Sequence, residues 1–247
     1  MNSFKVGFTS TTFKEKTIEE IVQIAQNSDA RFIEWGENCH INSLADAHKA
    51  KALCEKAGIK ISSYGSYYHV GSNNAEKWEK ICKIAAEMNA DSVRIWLGSK
   101  DSELTSEEEY GLLLSETASM CETAEKYGLT VAAECHDNTF NNNTDAILKF
   151  TKDLKKTNFK TYFQSRYFRF EYDIDRIERT YDITKDIHVS YSEVTREQLF
   201  RKKDKDYLDA ILRKFKEKNF EGIVMLEFTE DSNETAFLRD IDNLKKY

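Results

Sequence analysis

Residues 92–134 read SVRIWLGSKDSELTSEEEYGLLLSETASMCETAEKYGLTVAAE, and this stretch carries the fold in miniature. Ser92–Leu97 is a short apolar run with β-branched residues. Ser106–Tyr127 repeats its apolar residues at helical spacing, and Gly128 stands where a helix-ending glycine belongs. Thr130–Glu134 is then a second strand. Two strands joined by one helix run parallel, because the helix is the crossover between them.

The same rhythm extends in both directions. Strands are expected at Phe4–Thr9, Arg31–Trp35, Ile59–Tyr64, Thr161–Gln164, Ile187–Tyr191 and Gly222–Phe228. Helices are expected at Ile18–Ser28, Leu44–Ala57, Ala75–Met88, Thr144–Lys155, Tyr172–Tyr181, Asp204–Lys218 and Asn233–Lys246. Thr17, Ser43, Asn74 and Asn143 precede helices as capping residues, and Gly58 follows one. Eight strand–helix units in 247 residues fit a closed (β/α)8 TIM barrel, which typically takes about 250 residues. An open, doubly wound sheet is the alternative. It lacks its phosphate loop, because Thr9-Ser10-Thr11-Thr12 follows the first strand where glycines would be needed. No linker or composition shift divides the chain, so residues 1–247 read as a single domain.

Composition narrows the class. The chain has no proline and only 9 glycines, where average usage would give about twelve prolines. Collagen-like, polyproline and Pro/Gly-rich disordered designs are excluded. No apolar run reaches the roughly 18–20 residues of a membrane span, and Met1-Asn2-Ser3-Phe4-Lys5 does not open a signal peptide. Five cysteines without a CxxC pair read as reduced thiols in a cytoplasmic protein. The net charge of −7 argues against nucleic acid as a partner. The basic stretches Lys152–Lys160 and Arg201–Lys218 are interleaved with acids at helical spacing and read as solvated helix faces.

In a barrel of parallel strands the chemistry lies at the strand C-termini. Glu134, His188 and Glu227 each interrupt an apolar strand there, where an unpaired charge costs several kcal/mol. With the side-chain carbonyl of Gln164, they bring four polar groups from strands five to eight. That donor set suits a hard or borderline divalent cation. A structural ion pair with Arg94 or Arg166 is the competing reading for the glutamates. Trp35, Tyr64, Tyr67, Tyr68 and Trp96 are candidates for apolar walls or a sugar-stacking surface, or for plain packing. His69, His136 and Arg166 are candidates for binding hydroxyls or a terminal acidic group. Cys135 should point away from the site by strand alternation, and no nucleophile elbow is present.

Taken in order, Ile33-Glu34-Trp35-Gly36 with His40, Ser63-Tyr64-Gly65-Ser66-Tyr67-Tyr68, Val93-Arg94-Ile95-Trp96, Glu134-Cys135-His136-Asp137-Asn138-Thr139, Tyr162-Phe163-Gln164, Ile187-His188-Val189 and Leu226-Glu227-Phe228 resemble the xylose-isomerase-like TIM-barrel family of sugar-phosphate isomerases and epimerases. The resemblance covers nearly the whole chain. It implies a divalent ion, Mn²⁺ or Mg²⁺ first and Zn²⁺ or Co²⁺ as alternatives, held by Glu134, Gln164, His188 and Glu227. The family's epimerases usually carry Asp at the Gln164 position. Ser165 stands where a related branch has Pro, Tyr167 where the family has His, and neither Ser190 nor Tyr191 supplies the usual Asp after the strand-seven histidine.

The expected function is isomerisation or epimerisation of a small sugar, ketose or other polyhydroxy-carbonyl compound. Glu134 and Glu227 would exchange the roles of base and acid across an enediolate. An inosose-type dehydratase uses the same first step. A non-catalytic metabolite-binding barrel is the alternative outside enzymes, supported by the departures at Gln164 and Tyr167. A DNA-repair endonuclease of this fold would need a trinuclear zinc cluster, for which five histidines are few. The expected partner is a carbohydrate-like small molecule, with no nucleic acid or membrane, and a homo-oligomer is compatible with the sequence.

Overall fold

The computed structural model describes residues 3–164, 170–190 and 201–247. Eight strands, β1 (Lys5–Thr9), β2 (Phe32–Gly36), β3 (Lys60–His69), β4 (Ser92–Trp96), β5 (Thr130–Glu134), β6 (Phe159–Gln164), β7 (Thr184–Val189) and β8 (Ile223–Leu226), pair in parallel and in chain order. The β1–β8 pairing, Lys5 opposite Ile223 through Phe8 opposite Leu226, closes the barrel. Eight helices cover it: α1 (Ile18–Ser28), α2 (Leu44–Ala57), α3 (Ala75–Glu87), α4 (Glu107–Lys126), α5 (Thr144–Leu154), α6 (Phe170–Thr180), α7 (Arg201–Glu217) and α8 (Glu234–Leu244). The fold is the TIM barrel expected from the strand–helix rhythm. Tyr191, assigned to the seventh strand from sequence, lies outside the described residues.

The local signals act as read. Thr17 forms a capping box with Glu20, while Ser43, Asn74 and Asn143 accept from backbone N–H groups of the first turn; Ser106, read as the first residue of its helix, caps it instead in a box with Glu109. Each contact satisfies an amide that would otherwise have no partner in the first turn. Gly58 and Gly128 turn the chain at φ 68° and 70° after α2 and α4. At the ends of α1 and α5 the same left-handed conformation is taken by Asp29 and Lys155, at φ 55° and 52°.

β6 and β7 begin two and three residues earlier than expected, and β3 extends furthest beyond its expected end. β3 runs to His69, past the Tyr64 boundary read from sequence, with a register shift against β4 after Gly65. Side chains bridge the stretch between Gly65 and His69, across which the pairing with β4 shifts register. Ser66 Oγ donates to the Arg94 carbonyl at 2.7 Å, and the Tyr67 amide donates to the Glu37 carboxylate at 2.7 Å. The extension lifts Tyr67 and His69 to the rim of the barrel mouth. A continuous apolar core, with Phe8, Ile33, Val93, Val131, Ile187 and Val224 from the strands and Ile21, Ala47, Ile81, Ile147 and Ile241 from the helices, fixes the strands that present the site.

Candidate metal and substrate site

The strand pleat sorts the polar residues into two sets. Glu134 ends β5, Gln164 ends β6 in register with His188 of β7, and His188 is in register with Met225, two residues before Glu227. Glu134, His188 and Glu227 come together, offering ligand atoms that all lie within 4.8 Å of one another. His188 Nδ1 is 3.1 Å from Glu134 Oε1 and 3.5 Å from Glu227 Oε2. Donors about 2.1 Å from an ion lie about 3.0 Å apart when adjacent and about 4.2 Å apart when opposite. The trio therefore needs only a small contraction to take an ion.

Two further residues complete the cluster: Arg94, named from sequence only as a competing ion-pair partner, and Glu34, which sequence reasoning did not place there. Glu34, buried at the end of β2, accepts from Arg94 Nε at 2.8 Å. Arg94 Nη1 donates in turn to Glu134 Oε2, which also accepts from Trp96 Nε1 at 2.7 Å. The structural ion pair weighed against a metal role is thus real, yet it occupies only one oxygen of Glu134. The signal for Glu34 was available: it is a charge inside Ile33-Glu34-Trp35, the same pattern that marked Glu134 and Glu227. Arg94 is the matching cation within Val93-Arg94-Ile95.

The electrostatics follow from burial and pairing. Burial alone would raise Glu34 and Glu134, but the Arg94 guanidinium and the His188 ring hold both carboxyls well below the usual range. Burial works against a charged His188, yet Glu227, Glu34 and Glu134 together raise it well above an ordinary histidine. Three carboxylates against one guanidinium leave a surplus of negative charge, and the imidazole is driven to supply a compensating proton. Such a pocket also suits a divalent cation.

The fit can be tested on the polar atoms left without partners. Gln164 Oε1, Glu34 Oε2 and His188 Nε2 are buried and accept or donate no hydrogen bond among the described residues. A buried amide oxygen with no donor costs roughly 1–3 kcal/mol, and an ion is one group that would satisfy it. With Glu134, His188 and Glu227 it makes a mixed N/O donor set, so the residues present fit a divalent metal.

The rim candidates separate. Trp96 is the centre of an aromatic group, with ring centroids of His69, Tyr67 and His136 at 4.7, 5.3 and 5.7 Å. His69 Nδ1 donates to the Gly98 carbonyl at 3.0 Å and His136 Nδ1 to the Asp137 carbonyl at 2.8 Å. A neutral ring that donates through Nδ1 leaves Nε2 as an acceptor. Trp35 and Tyr64 do not join this group. They pair with each other across β2 and β3, one position after Glu34 and one before Gly65, and alternation turns them outward. Trp35 packs edge-on to His40 at 5.7 Å, and the Tyr64 hydroxyl donates to the Ile41 carbonyl. Both are buried packing residues and form no wall of the site. Arg166, Ser165 and Tyr167 lie outside the described residues.

The described residues thus form a closed parallel TIM barrel with carboxylates, an imidazole and an amide at its C-terminal mouth. The chain belongs to the xylose isomerase-like TIM-barrel family, whose profile matches residues 22–247. Among solved structures it is similar to the probable 3-DHS dehydratase AsbF of petrobactin synthesis from Bacillus anthracis, at 15% identity over 97% of this chain and 98% of that one, with TM-score 0.79. It is similar to a D-psicose 3-epimerase studied with D-fructose, at 15% identity over 97% and 96% of the two chains, with TM-score 0.74. It is also similar to an AP endonuclease of family 2 from Brucella melitensis, at 11% identity over 96% and 98%, with TM-score 0.72. At these identities the likeness is one of fold. No curated protein matches the sequence. No helix among the described residues is long and apolar enough to cross a membrane.

Proposed function

We propose that the protein is a divalent-metal-dependent isomerase or epimerase of a small ketose or related polyhydroxy-carbonyl compound. The observation that carries the proposal is the buried Oε1 of Gln164, without a hydrogen-bond partner among the described residues, on a residue in register with His188 beside the Glu134–His188–Glu227 cluster. Glu134, Gln164, His188 and Glu227 would hold the ion. A bound divalent ion supplies positive charge that polarises a substrate carbonyl and acidifies the adjoining C–H.

The surroundings divide the work of the two glutamates. Glu134 has one oxygen engaged by His188 and the other by Arg94 and Trp96, so it stays ionised and fixed in place. Among the described residues, Glu227 makes its ion-pair contact with His188, at 3.5 Å, and its side chain is 12% exposed against 3% for Glu134. Glu227 is therefore the freer of the pair to take a proton from carbon and return it, with Glu134 its partner on the other side of the substrate. The Nε2 atoms of His69 and His136 accept hydroxyl protons at the rim, and the Trp96 face covers the apolar side of the substrate. A dehydratase among the structural neighbours supports a second reading, in which loss of a β-hydroxyl follows the same proton abstraction.

The test is metal analysis of the purified protein, with solvent-deuterium exchange into candidate ketoses in Mn²⁺ or Mg²⁺. Ion-dependent exchange is expected. A new enone-type absorbance would mark the dehydratase. Neither a bound ion nor exchange at millimolar metal would overturn the proposal.

A further inference from the structure

Glu34 is outside the four residues assigned to the ion, yet its position is more specific than a counter-ion for Arg94 requires. Its Oε1 accepts from Arg94 Nε at 2.8 Å. Its Oε2 is buried without a hydrogen bond and faces His188 Nε2 at 3.5 Å, and that nitrogen is itself buried and unpartnered among the described residues. The other ring nitrogen, Nδ1, is turned toward Glu134 and Glu227. The imidazole thus stands between two functions: one edge faces the cluster and the other faces a single carboxylate oxygen.

The surroundings hold that carboxylate in place. Glu34 and Arg94 pack over the backbone of Gly65, where an added Cβ would lie 2.9 Å from both Glu34 Oε1 and Arg94 Nη2. Arg94 spans from Glu34 to Glu134, so the residue behind His188 and the residue beside it are tied to one rigid guanidinium. A counter-ion role accounts for Oε1. It gives no reason for Oε2 to face the His188 nitrogen that makes no hydrogen bond among the described residues.

We propose, resting on the metal-centre reading above, that Glu34 is a positioning residue that holds His188 as its Nε2–H tautomer and thereby presents the Nδ1 lone pair to the ion. A metal-bound imidazole commonly donates its second N–H to a carboxylate, which fixes the ring's orientation and raises its basicity. Here the Nε2–H donates to Glu34 Oε2, and the small closure from 3.5 Å accompanies metal binding. Arg94 orients Glu34 for this contact, and the missing side chain at Gly65 leaves room for both.

The experiment is a Zn²⁺ titration of ¹⁵N-histidine-labelled protein, read by two-bond ¹H–¹⁵N spectra, which distinguish the two ring nitrogens. Five histidines make the assignment tractable with His188→Gln as the reference. Wild type should show zinc on Nδ1 of His188 and a retained proton on Nε2. Glu34→Gln should weaken zinc binding by about 10- to 100-fold and broaden the tautomer signal. Glu34→Asp, which keeps the charge beside Arg94, should recover part of the affinity. Zinc on Nε2 in the wild type, or a Glu34→Gln protein with unchanged affinity and tautomer, overturns this inference while the metal reading stands. Absence of zinc binding by the wild type overturns the metal reading and this inference with it. The wild-type spectrum decides the tautomer even if a Glu34 variant fails to fold.

Discussion

Replacing Arg94 by methionine keeps most of the side-chain volume and removes the guanidinium shared by Glu34 and Glu134. In the structure the guanidinium is buried, with Nε 2.8 Å from Glu34 Oε1 and Nη1 on Glu134 Oε2. At 2.8 Å and an effective dielectric of about 20, one such contact has a gross attraction of about 6 kcal/mol. The net loss is smaller, because an abandoned carboxylate can take up a proton. For a carboxyl of ordinary pKa that costs about 3.7 kcal/mol at pH 7. A loss of about 3–5 kcal/mol is expected, the range for breaking a buried pair from one side. At about 2–4 °C per kcal/mol for a chain of this size, the melting temperature of the metal-free protein should fall by about 6–20 °C. The loss should shrink as the pH is lowered toward 5, where protonating the two glutamates becomes easier. Millimolar Mn²⁺ should restore part of it by neutralising Glu134. Metal-free unfolding by urea, followed by circular dichroism at pH 7 and pH 5, measures both effects. A loss under about 1 kcal/mol, as for an exposed ion pair, or a loss that grows toward pH 5, would refute the reasoning.

Other consequences can be checked separately. His40 Nε2 donates to the Lys16 carbonyl, and Nδ1 is left to accept from Ser10 Oγ, which itself accepts from the Gly36 amide. Burial lowers the His40 pKa, against raising contributions from the Lys16 and Phe13 backbone. The stability it contributes is therefore complete above the unfolded value near 6.5 and is lost as pH falls through that value toward the folded one. Unfolding free energies of His40→Gln should fall less steeply between pH 7 and pH 5 than those of the wild type; parallel curves would contradict the assignment. Glu116 of α4 accepts from Tyr68 Oη, Gly71 N and Asn73 N at 2.7, 2.5 and 3.0 Å, clamping the loop after β3. Glu116→Ala should cost about 2–3 kcal/mol and speed amide exchange at Gly71 and Asn73 above the rest of the barrel. Unchanged exchange there would show that the loop is held by other contacts.

The architecture was legible because it rests on local signals repeated eight times. Helices α1 and α2 have the boundaries read from their periodicity, and the capping residues act where they were named. The extension of β3 was not legible. It depends on Glu37 and Ser66 supplying bonds across to neighbouring strands, which no local pattern encodes. At the site, the buried-charge argument found Glu134, His188 and Glu227 and named Arg94 as a competing ion-pair partner, but was not carried through to Glu34, which obeys it equally. Trp35 and Tyr64, open from sequence between a stacking surface and plain packing, fall to packing for a geometric reason. Residue type allowed a stacking surface, whereas the pleat that turns Glu34 inward turns Trp35 outward, and register carries Tyr64 with it.

The left-handed residues that end α1 and α5 bear on how this barrel could be altered. Each helix returns the chain to the N-terminal ends of the strands, so Asp29 and Lys155 sit on the face opposite the mouth. A lysine in that conformation costs about 1–2 kcal/mol relative to a residue without a Cβ, and the extra freedom of glycine in the unfolded chain returns part of that difference. Lys155→Gly should therefore raise stability by about 1 kcal/mol or less. Because the ladder of the barrel separates that face from the site, thermal tolerance and chemistry become independently adjustable. An engineer could harden one end of the molecule while selecting for new substrates at the other.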